Sequence, residues 1–337
     1  METLDLATVH LVNRKHFEAL ENLSVLDSAK SAGVVLEHSC RTGRCGTCKA
    51  QVTAGSTEVM LPEASLHDDE KAAGWILTCA RSASSDVWLD VEDLGLLADM
   101  PVKTLPCRID TLERVAPDVL KVVLRLPPNN GFRHLAGQYI DVIAKGGQRR
   151  SYSIANDGNS GRIELHVREV PGGTLSTYWF NEAKTNDLLR FEGPRGTFFL
   201  RDLTGKHLVF LATGTGIAPI AAMLGSLAAM PATKPASVTV YWGGRVARDL
   251  YWQPGTDMPE LRFVPVLSRA DAAWTGARGH VQNVFLAEAP ALEHTVVYAC
   301  GSDLMIEDAR RSLQAAGLSA KSFFADAFVS SSHDLKP

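Results

Sequence analysis

Four cysteines constrain this chain more than any other feature. Cys40, Cys45 and Cys48 are spaced C-x4-C-x2-C, and Cys79 follows after thirty intervening residues. Four thiolates at that spacing are the ligand set of a plant-type [2Fe–2S] cluster, in which each iron takes two protein sulfurs. Backbone N–H groups must come close to those sulfurs, because such hydrogen bonds tune the reduction potential. The segment Arg41-Thr42-Gly43-Arg44-Cys45-Gly46-Thr47 is rich in Gly and Thr, as a close wrap requires. A four-cysteine zinc site is the alternative, but such sites usually pair one C-x2-C with another. Cys107 and Cys300 stand alone, so the six cysteines lack the even scatter of a secreted disulfide scaffold.

The cluster loop occupies only the front of a 337-residue chain, which is long enough for two or three domains. A net charge of −4, with no Lys/Arg-rich run, speaks against nucleic-acid binding. The charge is uneven. Residues 1–100 carry 16 acidic and 8 basic side chains, and residues 101–337 carry 22 and 26. A solvated acidic face is the simpler reading; modules that dock electrostatically are the alternative. The N-terminus begins acidic and lacks the apolar core of a signal peptide. Leu208 to Met230 is uncharged and long enough to span a bilayer, but Thr213-Gly214-Thr215-Gly216 and Pro219 interrupt it. It is expected to be a buried strand, a Gly loop and a helix, in a cytoplasmic protein with no membrane span.

Composition shifts near residues 98–104 and again near Lys206. Before the first shift, residues 5–12 and 17–23 read as a hairpin, Val25 to Ala32 as a short helix and Asp86 to Val91 as a strand. Between the shifts, residues 107–112, 119–126, 138–144, 150–155, 162–168 and 188–192 read as short strands separated by Pro/Gly/Asn turns. That spacing is typical of a barrel or a sandwich. After Lys206, apolar runs at HLVFLA, SVTVYWG, RFVPVLS and TVVYACG alternate with helical segments, the pattern of a parallel α/β sheet. The expected domains are 1–98, 103–202 and 206–329, with a polar tail over 330–337.

Arg150-Ser151-Tyr152-Ser153 lies on a predicted strand, where residues two apart share a face. Arg150 and Tyr152 can therefore meet one ligand, the guanidinium at a phosphate and the ring against a flat heterocycle. Gly172-Gly173-Thr174-Leu175-Ser176 follows as a small-residue turn entering a helix, suited to a pyrophosphate. Gly214-Thr215-Gly216-Ile217-Ala218-Pro219 ends a strand and opens another helix. Its glycines admit a phosphate to the backbone, and Pro219 is tolerated in a first helical turn. Cys300 and Gly301 end the last parallel-strand candidate, and ligands of open α/β sheets bind beyond the strand carboxyl ends. A lone buried cysteine is otherwise a packing residue.

These motifs, in this order, resemble the ferredoxin–NAD(P)+ reductase superfamily, in the branch with an N-terminal plant-type ferredoxin domain. The resemblance covers nearly all of residues 1–329. The segments KTLPCRID, LRLPP, LAGQYIDVI, GQRRSYSIAN, IELHVREV, EGPRGTFFLR, YACGS and FFADAFV carry it further, toward the reductases of 3,6-dideoxyhexose synthesis, the CDP-6-deoxy-Δ3,4-glucoseen reductases. It implies a β-grasp-type ferredoxin domain, an antiparallel β-barrel for FAD and an α/β parallel-sheet domain for NADH, with NADPH as the alternative. Arg150 would hold the FAD phosphate, Tyr152 would stack on the isoalloxazine and Ser153 would sit near flavin N5. His166, Val167 and Arg168 would line the flavin edge, and Gly173, Thr174 and Ser176 would hold the pyrophosphate. Gly214, Thr215, Gly216 and Gly301 would receive the nicotinamide nucleotide. The reaction itself would involve Tyr152, Ser153, Cys300 and Phe328, the last covering the flavin until nicotinamide displaces it. Cys40, Cys45, Cys48 and Cys79 would hold the cluster.

Thr213 stands where many relatives have Gly, and Ser302-Asp303 replaces a Pro-rich turn common in oxygenase reductases. The implied acceptor is an iron–sulfur, pyridoxamine-phosphate-dependent dehydrase. The alternative is the terminal oxygenase or ferredoxin of a ring-hydroxylating system. A non-catalytic iron–sulfur redox sensor is a third reading, disfavoured by the intact flavin and nucleotide motifs. Arg245, Arg248, Ser268 and Arg269 follow the second and third parallel-strand candidates, where a 2′-phosphate would need a cation or hydroxyl. They read as solvated surface residues.

Overall fold

The computed structural model describes residues 6–97, 100–144, 146–158, 161–229, 234–255 and 260–328. The expected polar tail over 330–337 lies outside them. The chain parts into two compact units, Met1–Pro101 and Val102–Phe328.

The first unit contains β1 (Thr8–Leu11), β2 (His16–Glu18), α1 (Val25–Ser31), β3 (Lys49–Ala54), β4 (Thr57–Val59), α2 (Asp68–Ala72), β5 (Trp75–Leu77), β6 (Arg81–Ala83) and β7 (Val87–Leu89). Five strands form one sheet in the order β2-β1-β7-β3-β5, with β1 and β7 parallel. The hairpin expected at the front is β1–β2, with His10 opposite His16. Helix α1 begins where Ser24 Oγ accepts from Asp27 N–H at 3.0 Å, satisfying one orphan donor of the first turn. Its Val25, Leu26 and Ala29 are buried with Val9, Phe17, Leu77 and Leu89. A mixed sheet closing over one helix is the β-grasp arrangement.

The second unit opens with β8 (Lys103–Ala116), β9 (Val119–Arg125), β10 (Tyr139–Ile143), β11 (Arg149–Ser153), β12 (Arg162–Arg168), α3 (Thr174–Thr177) and β13 (Leu188–Arg195). The strands run in the order β11-β10-β13-β8-β9-β12, each pair antiparallel. A bridge between Ile154 and Leu165 joins the two end strands, so the sheet is a barrel rather than a sandwich. Alternate residues point inward, and Ile109, Val122, Leu124, Ile140, Val142 and Phe191 are fully buried there.

The unit continues with β14 (His207–Thr213), α4 (Ile217–Ala229), β15 (Ser237–Gly244), β16 (Leu261–Leu267), β17 (Ala277–Arg278), α5 (Val281–Ala287), β18 (Thr295–Gly301), α6 (Asp303–Ala315) and β19 (Phe323–Ala327). All six strands are parallel, in the order β17-β16-β15-β14-β18-β19. The uncharged stretch from Leu208 is strand, turn and helix as expected, and no described helix is long and apolar enough to cross a membrane. Barrel and parallel sheet share one unit because Ala136, Phe198 and Leu200, from the barrel's side, pack into the core under β14 and α4.

Candidate functional site

The four cluster cysteines come together in the first unit. Cys48 immediately precedes β3 and Cys79 follows β5, and the Lys49–Leu77 pairing of those strands brings them side by side. Cys48 Sγ lies 3.2 Å from Cys79 Sγ. Cys40 and Cys45 form the other pair. Cys40 N–H donates to Cys45 Sγ at 3.5 Å, and Thr42 N–H donates to Cys40 Sγ at 3.4 Å. The hydrogen bond from Cys45 holds the Cys40 thiol down at about 5, while that same bond pushes Cys45 up. In the second pair the Cys48 thiol is raised and Cys79 is lowered, again chiefly through their mutual bond. Each pair thus contains one sulfur biased toward thiolate. Among the described residues no three Cys, His, Asp or Glu side chains form a group suited to a single metal ion. Two thiol pairs, two sulfurs for each of two irons, are the donor set of a [2Fe–2S] cluster. The loop reaches this shape through Arg41, Gly43 and Gly46, all at positive φ. A Cβ on Gly43 would lie 2.1 Å from the Pro62 carbonyl oxygen, so only Gly fits there.

On the barrel, Arg150 and Tyr152 share one face of β11, opposite Val142 and Ile140 of β10. Arg150 is exposed, and its guanidinium donates to the Arg149 carbonyl at 2.7 Å. Tyr152 is half-buried, its hydroxyl accepting from Trp179 Nε1 at 3.1 Å, and burial pushes its pKa up to about 12. Ser153 is buried. Trp179 belongs to the segment that follows α3, so this bond ties the R-x-Y-S strand to the Gly172–Ser176 turn. In that turn Gly172 has positive φ, and Ser176 Oγ accepts from Val170 N–H at 2.7 Å. His166 and Val167 are buried on β12, while Arg168 reaches outward and pairs with Asp118 at 3.2 Å. An exposed guanidinium, a ring anchored at its hydroxyl and a Gly turn two elements away are groups that fit a flavin dinucleotide.

In the parallel sheet, chain order runs outward from β14 to β17 on one side and continues through β18 and β19 on the other. Strand order therefore reverses between β14 and β18, and ligands of such sheets bind beyond the carboxyl ends at that crevice. Gly214, Thr215 and Gly216 follow β14, and Cys300 and Gly301 end β18. A Cβ on Gly216 would lie 2.2 Å from the Cys300 carbonyl oxygen, so the two ends touch through backbone. Thr213 Oγ1 accepts from Ser302 N–H at 3.1 Å, which accounts for a hydroxyl residue at a position where Gly is frequent. Phe328 N–H donates to the Gly301 carbonyl at 2.8 Å, and its ring is partly exposed. The Cys300 side chain points away into the core, and burial raises its thiol well above the ordinary value. At this crevice Cys300 presents its backbone, not a nucleophile. The barrel meets the same crevice, because a Cβ on Gly214 would lie 2.7 Å from the Arg168 guanidinium.

Three matches follow the chain in order. Residues 10–83 match a 2Fe-2S iron-sulfur cluster binding domain, residues 106–200 an oxidoreductase FAD-binding domain, and residues 210–311 an oxidoreductase NAD-binding domain. Over 313 residues, 91% of this chain and 94% of the relative, the chain is 43% identical to the CDP-6-deoxy-L-threo-D-glycero-4-hexulose-3-dehydrase reductase of Yersinia pseudotuberculosis serotype I. The chain belongs to the ferredoxin–NAD(P)+ reductase superfamily, in its ferredoxin-bearing branch. A reductase of Comamonas, component 2 of terephthalate 1,2-dioxygenase, is 32% identical over 93% of this chain and 94% of its own. Among solved structures, the Amycolatopsis cytochrome P450 reductase GcoB has a TM-score of 0.71 and 28% identity, covering 96% of this chain and 98% of its own. This reductase is accordingly an NAD(P)H-dependent oxidoreductase of FAD and a [2Fe–2S] cluster that passes electrons to a partner protein. When bound, FAD splits the electron pair of NAD(P)H into the single electrons that a cluster accepts.

Tyr251 and Trp242 lie beside the reductase's cofactor crevice, and no sequence signal marked either of them. Tyr251 reaches His166, 85 positions away, and Trp242 Nε1 donates to the Gly214 carbonyl at 2.9 Å. An aromatic residue on or after a buried strand reads as core, and nothing in its spacing reveals a contact with another element.

Proposed function

We propose that this reductase draws electrons from NADH and delivers them to the iron–sulfur dehydrase of CDP-3,6-dideoxyhexose synthesis. The observation that carries the reading is 43% identity, over nearly the whole chain, to a reductase named for a CDP-6-deoxyhexulose 3-dehydrase, against 32% to a dioxygenase reductase. In this reading Cys40, Cys45, Cys48 and Cys79 hold the cluster. Arg150 grips a flavin phosphate, Tyr152 packs on the ring system, and Ser153, His166, Val167 and Arg168 border its reactive edge. Gly173, Thr174 and Ser176 take the pyrophosphate. Gly214, Thr215, Gly216 and Gly301 receive the nicotinamide nucleotide, and Phe328 shields the flavin. Cys300 contributes through its carbonyl alone. Ser268 and Arg269 are exposed and sit against Gly244 and Arg245 by backbone hydrogen bonds of 3.0 and 2.9 Å, and we read them as solvated, consistent with NADH. A cytoplasmic location follows from dependence on the NADH pool. The domains implied are 1–98, 103–202 and 206–329.

The test mixes purified holoprotein and NADH either with a CDP-6-deoxyhexulose dehydrase and its substrate, without oxygen, or with the oxygenase of a terephthalate-type system, its aromatic substrate and dioxygen. The expected result is NADH oxidation matched by deoxygenated CDP-sugar in the first mixture only. Turnover with the oxygenase and none with the dehydrase would replace this reading with the oxygenase one.

A further inference from the structure

A chain of contacts runs from barrel strand β12 to the Gly turn after β14. His166 Nε2 lies 3.1 Å from Glu164 Oε1, and His166 Nδ1 lies 3.2 Å from the Tyr251 hydroxyl. Burial alone would raise the Glu164 carboxyl, but the His166 hydrogen bond, with smaller help from the Lys121 charge, holds it below the ordinary value, so it is an acceptor. In a neutral imidazole Nε2 therefore carries the proton and Nδ1 accepts from Tyr251 O–H. The two rings also meet edge to face, 5.5 Å apart at 75°. Tyr251 in turn packs perpendicular to Trp242, 5.3 Å between centroids. Trp242 is fully buried and donates from Nε1 to the Gly214 carbonyl. Arg168, two residues beyond His166, stands against the α-carbon of the same glycine.

Gly214 is thus fixed from two directions by one strand of the barrel. Arg168 touches it directly, and His166 reaches it through Tyr251 and Trp242. The R-x-Y-S strand and the Gly turns account for binding each cofactor but not for setting the distance between them. With both cofactors bound, that distance would decide hydride transfer, in which nicotinamide C4 gives up a hydride, so that NADH becomes NAD+, and flavin N5 takes it up, so that the flavin is reduced by the same two electrons. Misplacement by about 1 Å can cost a reaction ~100-fold.

We propose that Tyr251 and Trp242 are positioning residues that hold the Gly214 turn in register with β12, and so the nicotinamide in register with the flavin. This rests on the reading of the Gly214–Gly216 turn as the nicotinamide-nucleotide site. Neither residue touches the reacting atoms; both act through Gly214 and His166.

The test compares holoproteins carrying Tyr251→Phe or Trp242→Phe with the parent. Tyr251→Phe removes one hydrogen bond and keeps the ring in place; Trp242→Phe removes one hydrogen bond and also shrinks a fully buried side chain. Three quantities are read: the limiting rate of flavin bleaching by NADH in anaerobic stopped flow, the NADH concentration at half that rate, and the long-wavelength absorbance band produced when NAD+ stacks on reduced flavin. FAD content and Tm serve as controls. The expected result is a limiting rate ~10-fold lower and a weakened band in both variants, with half-saturation and FAD content little changed, and with Tm little changed in Tyr251→Phe. Parent-like rate and band in both variants would overturn the proposal. So would a fall in rate that only tracks lost FAD or lowered Tm, because that is a structural role. If NADH fails to bleach the parent protein, the reading of the nucleotide site falls and takes this inference with it; if only the variants behave unexpectedly, the inference falls alone.

Discussion

Gly216 has no room for a side chain, and the reason is backbone rather than backbone angle. Its φ is not in the left-handed region, yet a Cβ there would stand 2.2 Å from the Cys300 carbonyl oxygen and 2.8 Å from Gly301 N. Neither group can swing aside, because both belong to the end of a central strand. Gly205 is the opposite case, with φ +70° and open space around a Cβ. Gly205→Ala should cost about 1 kcal/mol, the price of a left-handed alanine, and leave nucleotide binding intact. Gly216→Ala should cost about 1–3 kcal/mol and also weaken NAD+ binding, because the strain falls at the switch point. Urea titrations and NAD+ titrations of the two variants check this. Equal effects would show that Gly216 serves the turn and not the crevice. Cys300 teaches the complementary lesson: its place at a strand end was legible, but its side chain points into the core.

Between elements, β3 and α2 are joined by a partly buried ion pair beside the cluster loop. Lys49 Nζ donates to both Glu70 carboxylate oxygens at 2.7 and 2.9 Å, and Glu70 also accepts from His67 N–H at 3.0 Å. Burial alone would raise the Glu70 pKa, but those bonds outweigh it and hold it below its ordinary 4.5. Stabilisation from the pair is therefore fully present above that ordinary value and lost as pH falls through the depressed one. Glu70→Gln should lower stability by about 1–3 kcal/mol at pH 7, with the gap to the parent closing under acid. Thermal melts across that range would refute the assignment if the gap held constant. Helix α2 was not legible in the sequence, nor were the three-residue strands β4, β5 and β6, which are too short to display a period. Strand β8 exceeds the expected 107–112, although Pro106 argues against a strand interior. It runs instead from Lys103 to Ala116, with register shifts near Ile109 and Arg114. The long alternating and apolar runs were legible because burial on one or both faces writes its period directly into the chain. Edge strand β19 was not, because its hydrogen bonds go to β18 and its short FFADA run shows no clear alternation.

Across the molecule, the cluster thiols and the candidate dinucleotide crevice belong to different units, Met1–Pro101 and Val102–Phe328. Their order in sequence was legible from motifs alone. The joining of the barrel and the parallel sheet in one unit was not, because it depends on contacts such as Phe198 packing under α4. The division makes a prediction about electron flow. Cys79 is paired with Cys48 within the first unit. Cys79→Ser removes one of four thiolates and should abolish the rhombic EPR signal of the reduced cluster. The second unit keeps its core and its crevice, so bleaching of the flavin by NADH should proceed at the parent rate. Ferricyanide, which takes electrons from flavin directly, should still be reduced, while reduction of a protein acceptor should fall to background. Stopped flow, EPR and the two acceptor assays separate these steps. Continued reduction of the protein acceptor would mean that electrons leave from the flavin, and the cluster would then lie off the path to the partner.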